Sequence, residues 1–303
     1  YLPFENLGPE AILAALESVG LEPNGGLLAL NSYENRVYQA QTEGLEFYVV
    51  KFYRPGRWTY EAIEEEHNFS YELLDSDISV VAPIQIDGST IFDFAGYHFA
   101  IFQRQGGHPP NLENKNDLEV LSRSIARIHA IGAKKPFAHR EIFSIDRLGT
   151  ASREFILNSD FLPPELIESY AATTQILLDC IEPTMIESQQ IRIHGDCHMG
   201  NVLWRNDISH FVDFDDCLNG PPIQDLWMLL SGERQEQLHQ INTILDAYNE
   251  FYEFSPSSLA AIEPLRTLRM IHHSAWIGKR WDDPAFPLAF PFFSSAKYWS
   301  DHI

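Results

Sequence analysis

One short segment constrains this chain more than any other feature: residues 193–201 read IHGDCHMGN, a polar loop interrupted by two glycines. The segment places Asp196 five positions before Asn201, and Asp213 follows twelve positions after that asparagine. Carboxylate and amide oxygens are the ligands that Mg²⁺ prefers in proteins. The pattern therefore indicates a metal-assisted transfer of a phosphoryl group, a reaction that depends on positioning and charge neutralisation more than on covalent help.

The same loop leaves a second chemistry open, because it also contains two histidines. His194 and His198 have the i, i+4 spacing of a zinc-binding helix, with Cys197 as a third ligand on that interpretation. Gly195 and Gly200 disfavour a helix here, and no glutamate follows His194. We expect His194 instead to pack behind the loop and hold Asp196 in place.

Apolar periodicity divides the chain into a β-rich first third and a helical remainder. Helical spacing covers residues 12–19 and 58–74, whereas β-favouring runs lie at residues 27–53 (three strands), 80–86, 89–96 and 97–107. The predicted class is α+β with two lobes. The N-lobe, residues 1–105, combines a five-stranded antiparallel sheet with one key helix, and the C-lobe, residues 106–303, is mostly helical.

A lysine in the third predicted strand indicates that both lobes contribute residues to one site. Lys51 ends the apolar run FYVVK, and burying its charge without a partner is expensive. Glu66 in the following helix, or Glu65 beside it, supplies that partner, although a glutamate run is also typical of a solvated helix face. A Lys–Glu pair followed by Asp-x₄-Asn and a further Asp is the set of residues found in kinases.

That set assigns a role to each member. Asp196 orients the attacking hydroxyl and accepts its proton, and Lys51 holds the α and β phosphates of a nucleotide. Asn201 and Asp213 are Mg²⁺ ligands, so Asp213 counts as both a catalytic and a metal residue. Asp225 is expected to anchor the loop from a helix start.

Further positions follow from the order of the elements. The last predicted strand leads into the inter-lobe hinge, where adenine is expected to meet the backbone of residues 102–105, Phe102 and Gln103 included. Val49 and Ile101 are expected to pad the ring. Asp215 and Asp216 are expected to cap or orient neighbouring backbone.

The chain also resembles a known family. HGDCHMGN followed by VDFDD is similar to the HGDxHxxN signature of the aminoglycoside phosphotransferase and choline kinase-like branch of the protein-kinase-like fold. LNSYENRVYQ, VVKFYRPGRW, NGPPIQDLWMLL and RWDDPAFP resemble the bacterial stress response kinase A family, and the similarity runs over residues 30–287.

The resemblance implies a cytoplasmic, monomeric Ser/Thr protein kinase that uses ATP and Mg²⁺, acts in a stress response and phosphorylates protein substrates or itself. It places the proton acceptor at Asp196, the Mg²⁺ ligands at Asn201 and Asp213, and an ATP-site residue at Ser32. The chain has no G-x-G-x-x-G loop, so the turn NSYENR, with Ser32, Asn35 and backbone N–H groups, is expected to face the phosphates.

Two other functions stay open. Only eleven residues separate Asp213 from Asp225, too few for a long activation segment, which keeps small-molecule kinases in play. Acidic and aromatic residues suited to a cationic acceptor such as choline, an amino alcohol or an aminoglycoside are Trp276, Trp281, Asp282 and Asp283. A nucleotide-binding module without turnover is the other alternative, disfavoured because the catalytic residues are all present.

Charge and composition exclude other classes of function. The net charge of −22, without a Lys/Arg run, argues against a nucleic-acid partner. No apolar run approaches the roughly 20 residues needed to cross a bilayer. Three scattered cysteines form no disulfide framework, which fits a reducing, cytoplasmic compartment.

Overall fold

The computed structural model describes residues 3–185 and 189–302. Its N-lobe is an antiparallel sheet of order β1-β2-β3-β5-β4. The strands are β1 (Pro23–Ala29), β2 (Arg36–Thr42), β3 (Phe47–Phe52), β4 (Phe92–Phe94) and β5 (Tyr97–Gln103). The predicted five-stranded antiparallel sheet is therefore confirmed.

The two faces of this sheet contact different parts of the molecule, because side chains alternate along each strand. Lys51 pairs in register with Ala100, and Val49 with Phe102, so these four residues share the face toward the other lobe. The opposite face packs against the helix α1 (Pro9–Ser18). Ile101 is fully buried in that outer core, so the prediction that it pads adenine is wrong.

The key helix is α2 (Tyr60–Leu74), which lies between β3 and β4 in the chain. Thr59 caps its start by accepting a 3.2 Å hydrogen bond from the Ala62 N–H. The helix buries Ile63 and Glu66 on one side, and Ile63 packs with residues of the cleft face of the sheet. A polar glutamate is thereby carried into the space between the lobes.

The predicted strand over residues 80–86 is wrong. That segment makes only isolated bridges, including Val80 with Phe211 and Pro83 with Phe102. Pro83 has no N–H to donate, which prevents a continuous ladder. Its neighbours β4 and β5 form the predicted hairpin, turning at Ala95 and Gly96, whose φ angles of 51° and 84° match a type I′ turn.

The C-lobe is mainly helical, as predicted, with two small two-stranded sheets that carry the polar loops. One sheet pairs β6 with β9 and the other pairs β7 with β8. The strands are β6 (Ile191–Ile193), β7 (Val202–Arg205), β8 (Ile208–Phe211) and β9 (Leu218–Gly220). The helices are α3 (Lys115–Gly132), α4 (Ala151–Leu157), α5 (Ile167–Met185), α6 (Ile223–Trp227), α7 (Arg234–Tyr248), α8 (Ile262–Gly278), α9 (Ala285–Ala289) and α10 (Ala296–Ser300).

The segment from residue 104 to residue 114 is irregular apart from a bridge between His108 and Trp204, and the lobe boundary between residues 105 and 106 stays a prediction. Across residues 3–185 and 189–302, every helix is too short or too polar to span a bilayer.

Candidate active site

The loop after β6 owes its shape to one glycine and one buried carboxylate. Gly195 has φ +86°, and a Cβ there would lie 2.2 Å from the Asp216 carbonyl oxygen. Asp225, fully buried at the start of α6, accepts the N–H groups of His194 (2.8 Å) and Gly195 (2.9 Å). His129 Nε2 lies 3.0 Å from the same carboxylate. The structure thus shows the anchoring contact expected of Asp225.

His194 ties this loop to the second acidic segment. Its Nε2 donates to the Val212 carbonyl at 2.9 Å, and its ring lies 4.5 Å from that of Phe214. The buried imidazole therefore packs behind the loop, as predicted. Residues 194–198 are not helical, and His194 Nε2 is already bonded to the Val212 carbonyl, so His194 and His198 do not form the i, i+4 helical pair of the zinc interpretation.

Asp196 lies at the end of this support. Its Oδ1 is 2.9 Å from Arg269 Nη2, and its Oδ2 is 3.4 Å from His198 Nε2. Burial raises the pKa of Asp196, but the hydrogen bond from His198 and the charge of Arg269 outweigh burial and hold that pKa well below its ordinary value. Asp196 is therefore a carboxylate at neutral pH.

Asn201 and Asp213 lie on adjoining segments. The Asn201 side-chain amide donates to the Asp196 carbonyl at 2.9 Å, which leaves the amide oxygen as the atom for a cation. The Asn201 carbonyl accepts the Val212 N–H at 3.0 Å. Asp213 follows at φ +59°, with its side chain about half exposed. It lies two residues beyond β8, which ends at Phe211.

Lys51 reaches this acidic end of the site from the sheet. Its Nζ is 2.8 Å from Glu66 Oε1, 3.6 Å from Asp215 Oδ1 and 3.8 Å from Asp213 Oδ1. Burial lowers the pKa of Lys51, but Glu66 and the neighbouring acids raise it by more than burial lowers it. The net pKa therefore lies above its ordinary value. The buried amine is charged.

Helix α2 directs only one of the two candidate glutamates, Glu65 and Glu66, toward Lys51. Glu66 is the partner of Lys51, with Arg140 Nη1 3.9 Å from its other oxygen. Glu65 points elsewhere and accepts the backbone N–H groups of Ala138 (2.7 Å) and His139 (2.7 Å).

Two arginines belong to the site although the sequence did not reveal them. Arg57 donates to both Asp215 and Asp216. Arg140 is buried and donates to the carbonyls of Asp215 and Cys217. The expectation that Asp215 and Asp216 serve neighbouring backbone is corrected, because both carboxylates bind Arg57. The motif RPGRW contains Arg57, but nothing in it indicates so distant a partner.

The predicted phosphate-covering turn is held by polar contacts. Asn35 is buried, and its side-chain oxygen accepts the Arg54 N–H at 3.1 Å, so this amide shapes the turn. Ser32 is partly exposed beside it. Glu34 accepts from Trp276 Nε1 at 2.6 Å and from Arg280 Nη2 at 3.0 Å. The turn is therefore fastened to the end of α8.

A second acidic group completes this fastening. Asp283 accepts from Arg36 at 3.0 Å and from Arg54 at 2.9 Å. We call Glu34, Arg36, Arg54, Arg280 and Asp283 the interlobe clamp. The prediction that Asp283 and Trp276 suit a cationic acceptor is wrong. Asp283 is neutralised by two arginines, and the Trp276 N–H donates to Glu34. Trp281 packs with Phe161 and Phe293.

The hinge residues lie where β5 ends. The Phe102 ring faces Lys51, with Nζ 5.6 Å from the ring centroid. Gln103 is exposed, and the Arg104 N–H is already bonded to the Phe47 carbonyl at 3.2 Å. Phe102 and Val49 therefore line the cleft face, and the contacts of the hinge backbone with adenine remain a prediction.

Comparison with known proteins relates this geometry to a family. Residues 27–262 match the model of the "Phosphotransferase enzyme family". Over 297 residues, 98% of this chain and 90% of the relative, the chain is 42% identical to stress response kinase A of Salmonella choleraesuis and 41% identical to that of Escherichia coli K12. A relative from Salmonella typhimurium, 42% identical over the same shares, is named serine/threonine protein kinase RdoA.

Solved structures agree in fold at low identity. Amicoumacin kinase hAmiN, in complex with AMP-PNP, Ca²⁺ and Ami, has a TM-score of 0.73 at 17% identity, covering 96% of this chain and 93% of its own. A microcompartment-associated aminopropanol kinase also has a TM-score of 0.73 at 17% identity, covering 94% of each chain. With the sheet, the key helix and the loops in place, the chain belongs to the phosphotransferase enzyme family and, within it, to the stress response kinase A proteins.

Proposed function

We propose that this protein transfers the γ-phosphoryl group of ATP, in the presence of Mg²⁺, to the hydroxyl of a serine or threonine in a protein. The observation that carries the proposal is the convergence of Lys51, with its Glu66 partner, and Asp213 within 3.8 Å at one end of a cleft. The hydrogen bonds of Asn201 to Asp196 and Val212 link that end to the catalytic loop.

Each residue has a role in this reaction. Lys51 binds the nucleotide phosphates as a charged amine oriented by Glu66, and Asn201 and Asp213 hold Mg²⁺ through oxygen atoms. The hard oxygen donors and the half-exposed Asp213 carboxylate fit that ion, which supplies charge neutralisation on the phosphates. The ordered turn with Ser32 covers the phosphates, while Phe102 and Val49 lie beside the adenine.

The bond changes at phosphorus are those of a direct displacement. The acceptor oxygen forms a bond to the γ-phosphorus as the bond from that phosphorus to the β,γ-bridging oxygen breaks, and ADP leaves with the electron pair. Asp196 orients the acceptor hydroxyl and receives its proton. Because the pKa of Asp196 lies below its ordinary value, we expect it to receive that proton late in the displacement.

Two findings support protein as the acceptor. Relatives of nearly the same length carry the names stress response kinase A and serine/threonine protein kinase RdoA. Of the residues suited to a small cation, Asp283 and Trp276 are engaged in contacts of the interlobe clamp and Trp281 packs in the core, which leaves only Asp282 exposed. The proposal includes a monomeric enzyme in the cytoplasm. A small-molecule kinase is the second candidate, because a structural neighbour is named as an aminopropanol kinase.

The test uses γ-labelled ATP with Mg²⁺ and three kinds of acceptor: a basic model protein, the enzyme itself, and a panel of small alcohols. Asp196→Asn and Asp213→Asn are compared with Asp246→Asn, an exposed acid on α7. We expect label on protein serine or threonine, lost in the first two variants and kept in the third. Label on a small alcohol alone contradicts the acceptor class. ATP binding without transfer to any acceptor identifies a nucleotide-binding module instead.

A further inference from the structure

The acceptor side of Asp196 contains an arginine that the roles above do not use. Arg269 lies on α8, and its Nη2 is 2.9 Å from Asp196 Oδ1 while 44% of its side chain remains exposed. Within residues 3–185 and 189–302, Asp196 is the only carboxylate within 4 Å of Arg269. A guanidinium has five N–H donors, so this single contact leaves most of them to solvent.

The surrounding arginines are different, because each already has its own anchors. Arg266, one turn earlier on α8, binds Glu263 Oε1 (2.7 Å) and Gln237 Oε1 (3.0 Å). Arg280 is held by Glu34 at the clamp. Arg269 thus keeps N–H donors that no carboxylate uses. It lies beside Asp196, the residue that is expected to receive the proton of the acceptor hydroxyl.

Holding the loop does not require this arginine. Asp225 already fixes the backbone of His194 and Gly195, and Asn201 binds the Asp196 carbonyl. Arg269 instead pairs with Oδ1 of Asp196 from the solvent side. An anionic group that binds the remaining N–H groups of Arg269 would therefore hold the acceptor with its hydroxyl close to Asp196.

The carboxylates that act on this part of the site are those of Asp213 and Asp216, and both have other partners: Asp213 lies 3.8 Å from Lys51, and Asp216 accepts from Arg57. The half-exposed His198 imidazole lies 3.4 Å from Asp196 Oδ2, and the charges of Arg269 and Asp196 both act on the exposed His273 of α8. The acids of the clamp, Glu34 and Asp283, are bound by its arginines. Although the whole chain carries −22, the acceptor side of the loop therefore presents an incompletely paired cation.

We propose that Arg269 determines acceptor specificity by binding an anionic group close to the hydroxyl that is phosphorylated. The inference rests on the proposed kinase function and names its substrate class: a serine or threonine with an acidic side chain nearby. Charge-assisted pairs of this kind are short and directional, and a cationic acceptor would meet like charge at the same place.

The distance limits where the anion can lie. Arg269 Nη2 forms an ion pair with Asp196 Oδ1 over 2.9 Å, and the acceptor hydroxyl and the anion each add about 3 Å. The two acceptor groups are therefore on the order of 6–8 Å apart, which in an extended peptide corresponds to an acid about two residues from the serine.

The experiment measures kcat/KM for three peptides that share one serine and carry Asp, Ala or Lys two residues to either side. Wild type is compared with Arg269→Gln, Arg269→Glu and the matched control Arg266→Gln. We expect wild type and Arg266→Gln to prefer the Asp peptide over the Lys peptide at least about tenfold, a difference of about 1.4 kcal/mol. Arg269→Gln should reduce the preference to within about threefold, and Arg269→Glu should reverse it.

Equal loss of activity on all three peptides in Arg269→Gln would overturn the proposal, since it would mean that Arg269 only positions Asp196. If small alcohols alone are phosphorylated, the same variants are tested with glycerate and ethanolamine, an anionic and a cationic alcohol. Preference for ethanolamine overturns the inference even though transfer occurs.

If no acceptor is phosphorylated, the proposed function fails, but the charge preference is still measured by fluorescence anisotropy of the labelled peptides with ADP and Mg²⁺. Wild type should then bind the Asp peptide about tenfold more tightly than Arg269→Gln does. Equal affinities overturn the inference independently of catalysis.

Discussion

A single buried carboxylate, that of Asp225, holds two backbone N–H groups and a histidine behind the catalytic loop. An amide in its place would present a donor to groups that are themselves donors. The loop that carries Asp196 would then lose its support without any change in Asp196 itself. Under the proposed function, we therefore expect Asp225 to affect catalysis without touching the substrate.

We expect Asp225→Asn to reduce the free energy of unfolding by about 2–4 kcal/mol and to lower kcat strongly, because buried N–H groups lose a charged acceptor. Urea unfolding and steady-state kinetics provide the measurements. The exposed acid Asp246 provides the control, and Asp246→Asn should change neither quantity appreciably. Wild-type stability in Asp225→Asn would show that the three contacts contribute little.

The Lys51–Glu66 pair is buried, so removing one partner leaves an uncompensated charge. We expect Lys51→Met and Glu66→Gln each to destabilise the fold by about 3–5 kcal/mol. The double variant should be more stable than the sum of the single effects predicts, by about 1–3 kcal/mol. A double-mutant cycle in urea measures this coupling, and strict additivity would show that Asp215, Arg57 and Arg140 replace the lost partner.

At the scale of elements, the interlobe clamp connects the β1–β2 turn with the end of α8. Glu34 and Asp283 receive hydrogen bonds from side chains of both lobes and of the turn itself. The turn lacks the glycines of a flexible phosphate loop. Its proposed position over the nucleotide thus depends on the clamp. If the clamp were broken, ATP would have to order the turn on binding.

We expect Asp283→Asn to raise KM for ATP roughly threefold to tenfold, with a smaller effect on kcat, because Arg36 and Arg54 lose their shared carboxylate. Asp282→Asn is the control, since Asp282 is the exposed neighbour. Initial rates at several ATP concentrations give both constants. An unchanged KM in Asp283→Asn would mean that the remaining bonds of Glu34 suffice to hold the turn.

For the whole molecule, pH acts on stability through buried histidines. His67 is a buried residue of α2 whose ring lies between Tyr53 and Thr90, with each hydroxyl oxygen 2.8 Å from a ring nitrogen. Burial, and then the positive charges of Lys51 and Arg140, lower the pKa of His67 to about 3. The neutral ring is therefore part of the native packing, whereas the unfolded chain has the ordinary value near 6.5.

The folded pKa is depressed, so this contribution to stability is complete above about pH 6.5 and is lost as pH falls toward 3. Between pH 7.5 and pH 5.0 we expect His67 to account for about 2 kcal/mol of lost stability. Urea unfolding at the two pH values should show a loss smaller by that amount in His67→Gln. His239→Gln, at an exposed position, should keep the wild-type difference, and an identical loss in both variants would contradict the assignment.

The sequence by itself determined the two-lobed class, the five-stranded sheet and the order of Lys51, Asp196, Asn201 and Asp213. Local physics explains why. Periodicity of 2 or 3.6 residues is imposed by the backbone, and residues within one loop or one strand cannot lie far apart. Their shared chemistry is therefore visible as spacing. The strand predicted over residues 80–86 failed because Pro83 interrupts a ladder that the apolar pattern alone does not reveal.

Contacts between charged residues far apart in the chain became visible only in the three-dimensional structure. Arg36 and Asp283 are 247 positions apart, and Arg57 reaches Asp215 across 158 positions. Arg269 meets Asp196 only because α8 packs beside the catalytic loop. Such pairs depend on how whole elements dock, and a charged residue in a polar segment looks the same whether its partner is water or a carboxylate from another lobe. The proximity of Asp196 and Asn201 within one loop could therefore be predicted from the sequence, whereas the arginines that surround the loop could not.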